Sequence, residues 1–208
     1  MLIYTHEDCL AHEVPEGHPE RPERLAFLMG HLERTGFLHD HSLQMAPTLP
    51  RGLIEAAHDS ALYDQLENAT PEQGISALDP DTWIGPRSLS ASCHAAGAVW
   101  QGVNEVVSGD QARVFCAVRP PGHHAERAAA MGFCLLNSVA IAAVNALSLA
   151  AINRIAVLDF DVHHGNGTVD ICRHDPRILV CSSFQHPFYP GRMHEIAQTN
   201  IVNTPLSA

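Results

Sequence analysis

The apolar positions of this chain change their period along its length, and the changes mark out its elements. Leu2 to Tyr4 reads as a first strand. Leu25, Leu28, Met29 and Leu32 then recur at helical spacing, so a helix is expected over Glu23–Thr35, opened by Pro22 and closed by Gly36. A polar, proline-bearing region follows, with short helical pieces near Leu53–His58 and Ser60–Asn68, and Ala69 to Arg87 reads as a long surface loop rich in Pro, Asp and Gly. From Ser88 to Val107, the residues Leu89, Cys93, Ala96, Trp100, Val103 and Val107 share one helical face. Ala112–Val118 and Arg154–Leu158 are short apolar runs that read as buried strands, separated by a helix over Leu135–Ala150. A short helix near Val169–Arg173 and a third apolar run, Ile178–Ser182, follow. Strands alternating with helices imply parallel βαβ units and a layered α/β domain, here one domain over residues 1–208.

Two loops in this scheme carry chemistry. Arg119-Pro-Pro-Gly-His-His-Ala-Glu126 follows the second predicted strand, and Asp159-Phe-Asp-Val-His-His-Gly-Asn-Gly-Thr168 follows the next. Ligands gather at the carboxyl ends of parallel strands, so the two loops are expected to meet in one crevice. Asp161 and His163, one residue apart on extended backbone, point the same way and offer an oxygen and a nitrogen suited to zinc or a similar ion. His123 and His124 supply proton carriers, with Asp159 and Asn166 available to orient their rings. Different partners would separate the two proton affinities. Gly132 permits a backbone carbonyl to approach a ligand, Phe133 is placed to wall an apolar channel, and the aromatic loop Gln185–Gly191 with Tyr189 stands on the same rim. Ser182 and Ser183 at a strand end could hold a cation through hydroxyl and carbonyl oxygens.

Composition narrows the partners. A net charge of −11 argues against direct nucleic-acid binding and mildly favours cationic substrates. The six cysteines form no close pair and read as reduced thiols of a cytoplasmic protein. No basic, apolar leader is visible at the N-terminus. The longest apolar stretch, Leu135–Ala151, is short of the about 20 residues a membrane span needs and carries Asn137, Ser138 and Asn145.

Together the segments Arg-Pro-Pro-Gly-His-His-Ala-Glu, Gly132-Phe-Cys-Leu-Leu-Asn-Ser-Val-Ala140 and Asp-Phe-Asp-Val-His-His-Gly-Asn-Gly-Thr resemble the histone deacetylase family in its broad bacterial sense, which includes acetylpolyamine amidohydrolases. His18-Pro-Glu-Arg-Pro-Glu-Arg-Leu25 and Leu78-Asp-Pro-Asp-Thr82 resemble it too. The resemblance implies an arginase/deacetylase-like three-layer fold, with a mostly parallel sheet flanked by helices. It implies a zinc-dependent amidohydrolase acting on an acylated amine, either an acetyl-lysine protein or an acetylpolyamine, with possible homo-oligomerisation. By that likeness Asp161 and His163 match zinc ligands, and His123 and His124 match a proton-transfer pair supported by Asp159 and Asn166. Gly132 would receive the substrate amide, and Phe133 and Tyr189 would flank its tunnel. Asp159, Asp161, His163, Ser182 and Ser183 match a structural potassium site. Asn166 fits the class II pattern, whereas Phe184 stands where a His is usual.

The likeness also implies features not found in these 208 residues: a third zinc ligand, an Asp, and a Tyr that polarises the acyl oxygen. His186 and His194 are candidate substitutes that no motif supports. The chain is therefore expected to be a shortened form, incomplete at its C-terminal side and weakly active or inactive. Three other readings compete. Asp159-Phe-Asp161-Val imitates an aspartyl-phosphate motif, but that chemistry has no use for paired histidines. An arginase-like ureohydrolase needs Asp-x-His-x-Asp, and Gly165 stands at its last position. A binding or assembly module that kept the fold but lost the site is the non-enzymatic alternative.

Overall fold

A computed structural model describes all 208 residues, Met1–Ala208. Strand β1 (Leu2–Thr5) leads into helices α1 (Glu7–Ala11) and α2 (Pro22–Arg34), then strand β2 (Ser42–Met45) and helices α3 (Arg51–Ile54) and α4 (Ser60–Ala69). Two short strands follow, β3 (Ser76–Ala77) and β4 (Trp83–Ile84), then helix α5 (Ser88–Ser108) and strand β5 (Val114–Cys116). Helix α6 (Ser138–Ala146), strand β6 (Ile155–Asp159), helix α7 (Asn166–Cys172) and strands β7 (Ile178–Gln185) and β8 (Ile201–Leu206) complete the chain.

The parallel α/β architecture expected from the pattern is present. β2, β1 and β5 form one parallel sheet and β6, β7 and β8 another, with β3 and β4 as a separate antiparallel pair. Helix α2 begins at Pro22, where a missing N–H costs nothing, and Gly36 beyond its end takes the left-handed conformation at φ +74°. The Leu135–Ala150 helix is shorter than expected. Asn137 caps it by accepting the Ala140 N–H, so Leu135 and Leu136 lie in the core ahead of the helix. The main core joins α4, α5, α6, α7 and β7 through Leu62, Leu66, Ile141, Val169, Ile178 and Val180.

Four strands escaped the pattern: β2, β8 and the β3–β4 pair inside the expected loop. Leu43 and Met45 in β2 are exposed, and Pro205 sits within β8, so neither shows the periodicity of a half-buried strand. A further expectation is corrected. The runs read as buried strands, Ala112–Val118 and Arg154–Leu158, give β5 and β6, and each is an edge strand. Phe115 is 39% and Leu158 70% exposed. The two edges border an apolar slot of about 520 Å³ over α5 and α6, lined by residues such as Val103, Val107, Val114, Ala142 and Ile155. With a neighbour on one side only, each strand leaves part of its apolar surface open. All six cysteines are free thiols, and no helix is long and apolar enough to cross a membrane.

Candidate active site

The loop after β5 is anchored before it reaches its histidines. Arg119 is buried and grips the buried Glu20 carboxylate through two bonds, Nε to Oε1 at 2.6 Å and Nη2 to Oε2 at 2.7 Å. It also donates to the carbonyls of Cys9 and His12. A bidentate pair of this kind fixes geometry, and breaking it would strand a buried charge. The His18–Leu25 segment is thereby tied to the histidine loop.

The second anchor is α7. Its first N–H groups lack helical partners, and those of Gly167 and Thr168 donate to the His123 carbonyl. His58, buried from the far side, donates through Nδ1 to the Glu126 carbonyl at 2.9 Å and accepts the Asn137 N–H at Nε2, also at 2.9 Å. Burial holds its pKa down to about 4, against the smaller opposing pull of the Glu126 and Arg127 carbonyls. Gly167 has to be glycine, because a Cβ there would stand 2.2 Å from the Ala125 carbonyl oxygen.

The histidine loop and the Asp159–Thr168 loop meet as the strand-end argument expected. His123 Nδ1 lies 2.8 Å from Asp159 Oδ2, and His124 Nδ1 lies 2.7 Å from Asn166 Oδ1. The two rings are 3.9 Å apart. His124 is buried, and burial first, then the His123 ring, push its pKa down to about 3. Asp159 is pushed up by burial, but its hydrogen bond to His123 and that ring's charge outweigh this, and its pKa ends below the ordinary carboxylate value. Asp161 and His163 lie across the same pocket. Asp161 Oδ1 accepts the His163 N–H at 2.8 Å, stands 3.0 Å from His163 Nδ1 and lies 3.9 Å from His123 Nε2.

The pocket holds about 530 Å³ and is lined by His123, His124, Gly132, Phe133, Asp161, His163 and Tyr189, among others. Gly132 and Phe133 are both left-handed, at φ +58° and +68°. A Cβ at Gly132 would fall 2.5 Å from His124 Cδ2, so only glycine lets this turn pass beneath the ring. The Phe133 conformation is strained for a residue with a side chain, and its N–H is held by Thr82 Oγ1 at 3.1 Å. Tyr189 stands edge-on to His124 at 4.9 Å, and burial, followed by Asp81 and Asp79, raises its pKa so that it stays a neutral phenol.

Asp159 ends β6 directly opposite Ser182, and Asp161 and His163 lie in the turn beyond; Ser182 and Ser183, expected at a strand end, fall inside β7, which pairs with β8 on to Gln185. Ser182 Oγ takes the Gly165 N–H at 3.3 Å. His186 and His194 pack on each other at 4.6 Å, and neither lines the pocket.

The donor chemistry suits a zinc ion in part. Asp161 Oδ1 and His163 Nδ1 stand side by side on the pocket wall, hydrogen-bonded to each other at 3.0 Å, so an ion would have to replace that proton. A catalytic zinc usually takes three protein ligands, and no third carboxylate, imidazole or thiol of the chain closes a cluster with this pair. The tight group of three donors lies elsewhere, at His6, Asp8 and His94. There the two rings stack in parallel at 3.4 Å, His6 Nδ1 already accepts the Asp8 N–H, and the Asp8 carboxylate is taken by Arg87 and Ser90. Those lone pairs are spent on hydrogen bonds rather than aimed at a common centre.

Several pocket contributors had no signal of their own in the sequence. Glu20, Arg24 and Asp81 line the cavity, and Phe188 stacks on His163 at 4.9 Å. His58 and Glu126 support it from behind. Glu20, Arg24, Asp81, Glu126 and Phe188 lie inside segments already singled out, but nothing local distinguishes them from their neighbours.

The pocket thus sets two oriented imidazoles against a carboxylate–imidazole pair. The histone deacetylase domain profile matches residues 18–208. An uncharacterized protein of Synechocystis is 39% identical over 99% of this chain and 68% of its own length, and a probable deacetylase of Archaeoglobus fulgidus is 36% identical over 91% and 52%. The human polyamine deacetylase HDAC10 is 36% identical over 92% of this chain and 29% of its own. The crystal structure of the HDA15 HD domain superposes with a TM-score of 0.92 at 32% identity, covering all of this chain and 62% of that one. The chain belongs to the histone deacetylase family. It spans about half of the Archaeoglobus protein and less than a third of human HDAC10.

Proposed function

We propose that the pocket is the N-terminal part of a zinc-dependent amidohydrolase site that removes acetyl or related acyl groups from acetyl-lysine proteins or acetylpolyamines. The observation that carries this reading is the pair of imidazoles 3.9 Å apart, each with Nδ1 engaged by a different acceptor, facing Asp161 and His163. Zinc held by Asp161, His163 and a third donor would supply Lewis acidity to the acyl group and the attacking water.

The chain's own residues do the rest. With Nδ1–H bonded to Asn166, His124 presents Nε2 as a neutral acceptor. Its buried position disfavours the charged form and so favours passing the proton on. The Asp159 carboxylate accepts from His123 Nδ1–H, which fixes the ring and leaves Nε2 toward the pocket, where it would pass a proton to the leaving amine. Gly132, Phe133 and Tyr189 line the pocket; in this reading the Gly132 carbonyl would receive the substrate amide, and Phe133 and Tyr189 would flank an extended aliphatic chain. Asp159, Asp161, His163, Ser182 and Ser183 are the proposed potassium donors. Free thiols throughout fit a reducing compartment such as the cytoplasm. A ureohydrolase reading loses ground, because any side chain at Gly165 would meet Asp159 Oδ2 at 2.2 Å, leaving no room for a further carboxylate.

The test is acetate release from an acetyl-lysine peptide and from N-acetylated diamines, with and without added zinc. With two metal donors the expected turnover is low, abolished by chelation and reduced about a hundredfold by His124→Ala, with little change in KM. Turnover indifferent to both chelator and His124→Ala would overturn the assignment. Retained folding with no acetate release and no zinc uptake would favour the assembly-module reading.

A further inference from the structure

We propose that Glu126 is a positioning residue that selects the tautomer of His124 by fixing which way the Asn166 amide faces. This rests on the proposed proton-transfer role of His124. The two pocket histidines are oriented by unlike partners. Asp159 offers only acceptor atoms, so His123 must present an N–H to it. Asn166 is ambidextrous. Turned one way its oxygen accepts from His124 Nδ1–H and leaves Nε2 free to take a proton. Turned the other way its NH₂ donates to Nδ1, the hydrogen moves to Nε2, and the ring can no longer act as an acceptor toward the pocket.

Something must decide between these, and the surroundings of Asn166 Nδ2 do so. It lies 2.7 Å from Glu126 Oε1, 3.3 Å from the His124 carbonyl and 3.4 Å from Met131 Sδ, and all three are acceptors. The Glu126 contact is the shortest and the one that carries charge. A reversed amide would set its oxygen against the carboxylate. Glu126 is held in turn by Arg192, whose Nη2 lies 2.5 Å from Oε2 and 3.0 Å from Met131 Sδ. Arg192 stands three residues beyond Tyr189, so the pocket wall and the His124 tautomer share one chain of contacts. Nothing in the immediate chemistry of a proton shuttle requires a carboxylate at position 126. The need arises because the partner of His124 is an amide.

The experiment reads the ring nitrogens of ¹⁵N-histidine-labelled protein at about pH 8, above the ordinary imidazole range. Wild-type His124 is expected wholly as the Nδ1–H form. Glu126→Met, which keeps the methylenes but removes the acceptor, should bring the two nitrogen shifts toward each other as about half the population changes tautomer, and Glu126→Ala should do the same. Glu126→Gln keeps the shape, but with its oxygen taken by Arg192 it turns an NH₂ toward Asn166, so it should fail to restore the wild-type pattern. Arg192→Gln should leave it intact, as a role confined to anchoring the loop would not. His58, bonded to the Glu126 backbone rather than its side chain, serves as the internal control for folding. In the acetyl-amine assay, Glu126→Met should lower kcat about tenfold to a hundredfold with KM within about twofold. An Nε2–H form in the wild type, or an unchanged spectrum in both Glu126→Met and Glu126→Ala, would overturn the proposal. The spectrum is independent of turnover. A tautomer response without acetate release would therefore refute the hydrolase reading and leave the positioning role standing.

Discussion

His58 gives the structure a measurable acid liability. Its ring is buried at 1% exposure, and both nitrogens are committed, Nδ1 to the Glu126 carbonyl and Nε2 to the Asn137 N–H. The second bond exists only while Nε2 carries a lone pair. Protonation costs that bond and places a charge in the core, which is why burial lowers the pKa from 6.5 to about 4. The unfolded chain takes up a proton near 6.5 and the folded chain near 4. The unfolded state therefore binds more protons between those values, and stability falls as pH falls through that window. From about pH 7.5 to about pH 5 this one group removes ~2 kcal/mol, and ~3 kcal/mol when the window is fully crossed. His12, held at about 3 by burial and then by Arg119 and His18, adds to the same slope. It is isolated from the His58 effect by comparing wild type with His58→Gln. That variant keeps an acceptor for Asn137 but loses the bond to Glu126, so it should be less stable by ~1 kcal/mol at about pH 7.5. Its deficit should vanish or reverse at about pH 5, a change of ~2 kcal/mol in the gap between the two proteins. Urea unfolding at the two pH values measures this directly. A gap that is the same at both, within ~0.5 kcal/mol, would show that His58 is not held neutral by the fold, and the anchoring of the histidine loop would need another explanation.

Two further outcomes follow from local geometry. Gly132→Ala puts a Cβ 2.5–2.7 Å from three atoms of His124 in a left-handed backbone. It should lower stability by at least ~1–2 kcal/mol in thermal unfolding and abolish acyl-amine turnover, and a variant matching wild type in both would contradict the packing described. Asp161→Asn and His163→Ala should each lower zinc retained per chain after equilibrium dialysis, whereas His94→Ala should not. Loss of zinc in His94→Ala alone would move the metal to the His6–Asp8–His94 cluster.

The sequence was informative where chemistry and local period coincide. Pro22 and Gly36 bracket α2, because first-turn prolines and left-handed turns are decided within a few residues. The strand-end placement of His123, His124, Asp161 and His163 was readable for a similar reason: a short apolar run followed by a glycine-punctuated polar loop has few other meanings in an α/β chain. The misreadings share an opposite cause. β2 shows no buried face, since Leu43 and Met45 lie on its solvent side, and it is a strand because β1 offers it a parallel ladder. Leu158 and Phe115 are apolar in a strand, which predicts burial, yet the face they present is not covered by any element of this chain.

The same division separates the visible part of the site from the hidden part. Asp159 and Asn166 could be matched to the two histidines because they sit in the opposing loop, and two loops that meet must pair their polar groups. What could not be read is which acceptor arbitrates an amide, or which ring closes a carbonyl from behind. Those depend on the approach of Glu126 to Asn166 and of His58 to both Glu126 and Asn137, contacts set by how α4, α6 and α7 pack. A buried hydrogen-bond network is specified by exclusion of water around all its members at once. The loops thus carry the reactive groups, but the proton positions on them are assigned by the packing behind, and that is where substitutions distant from substrate should first be felt.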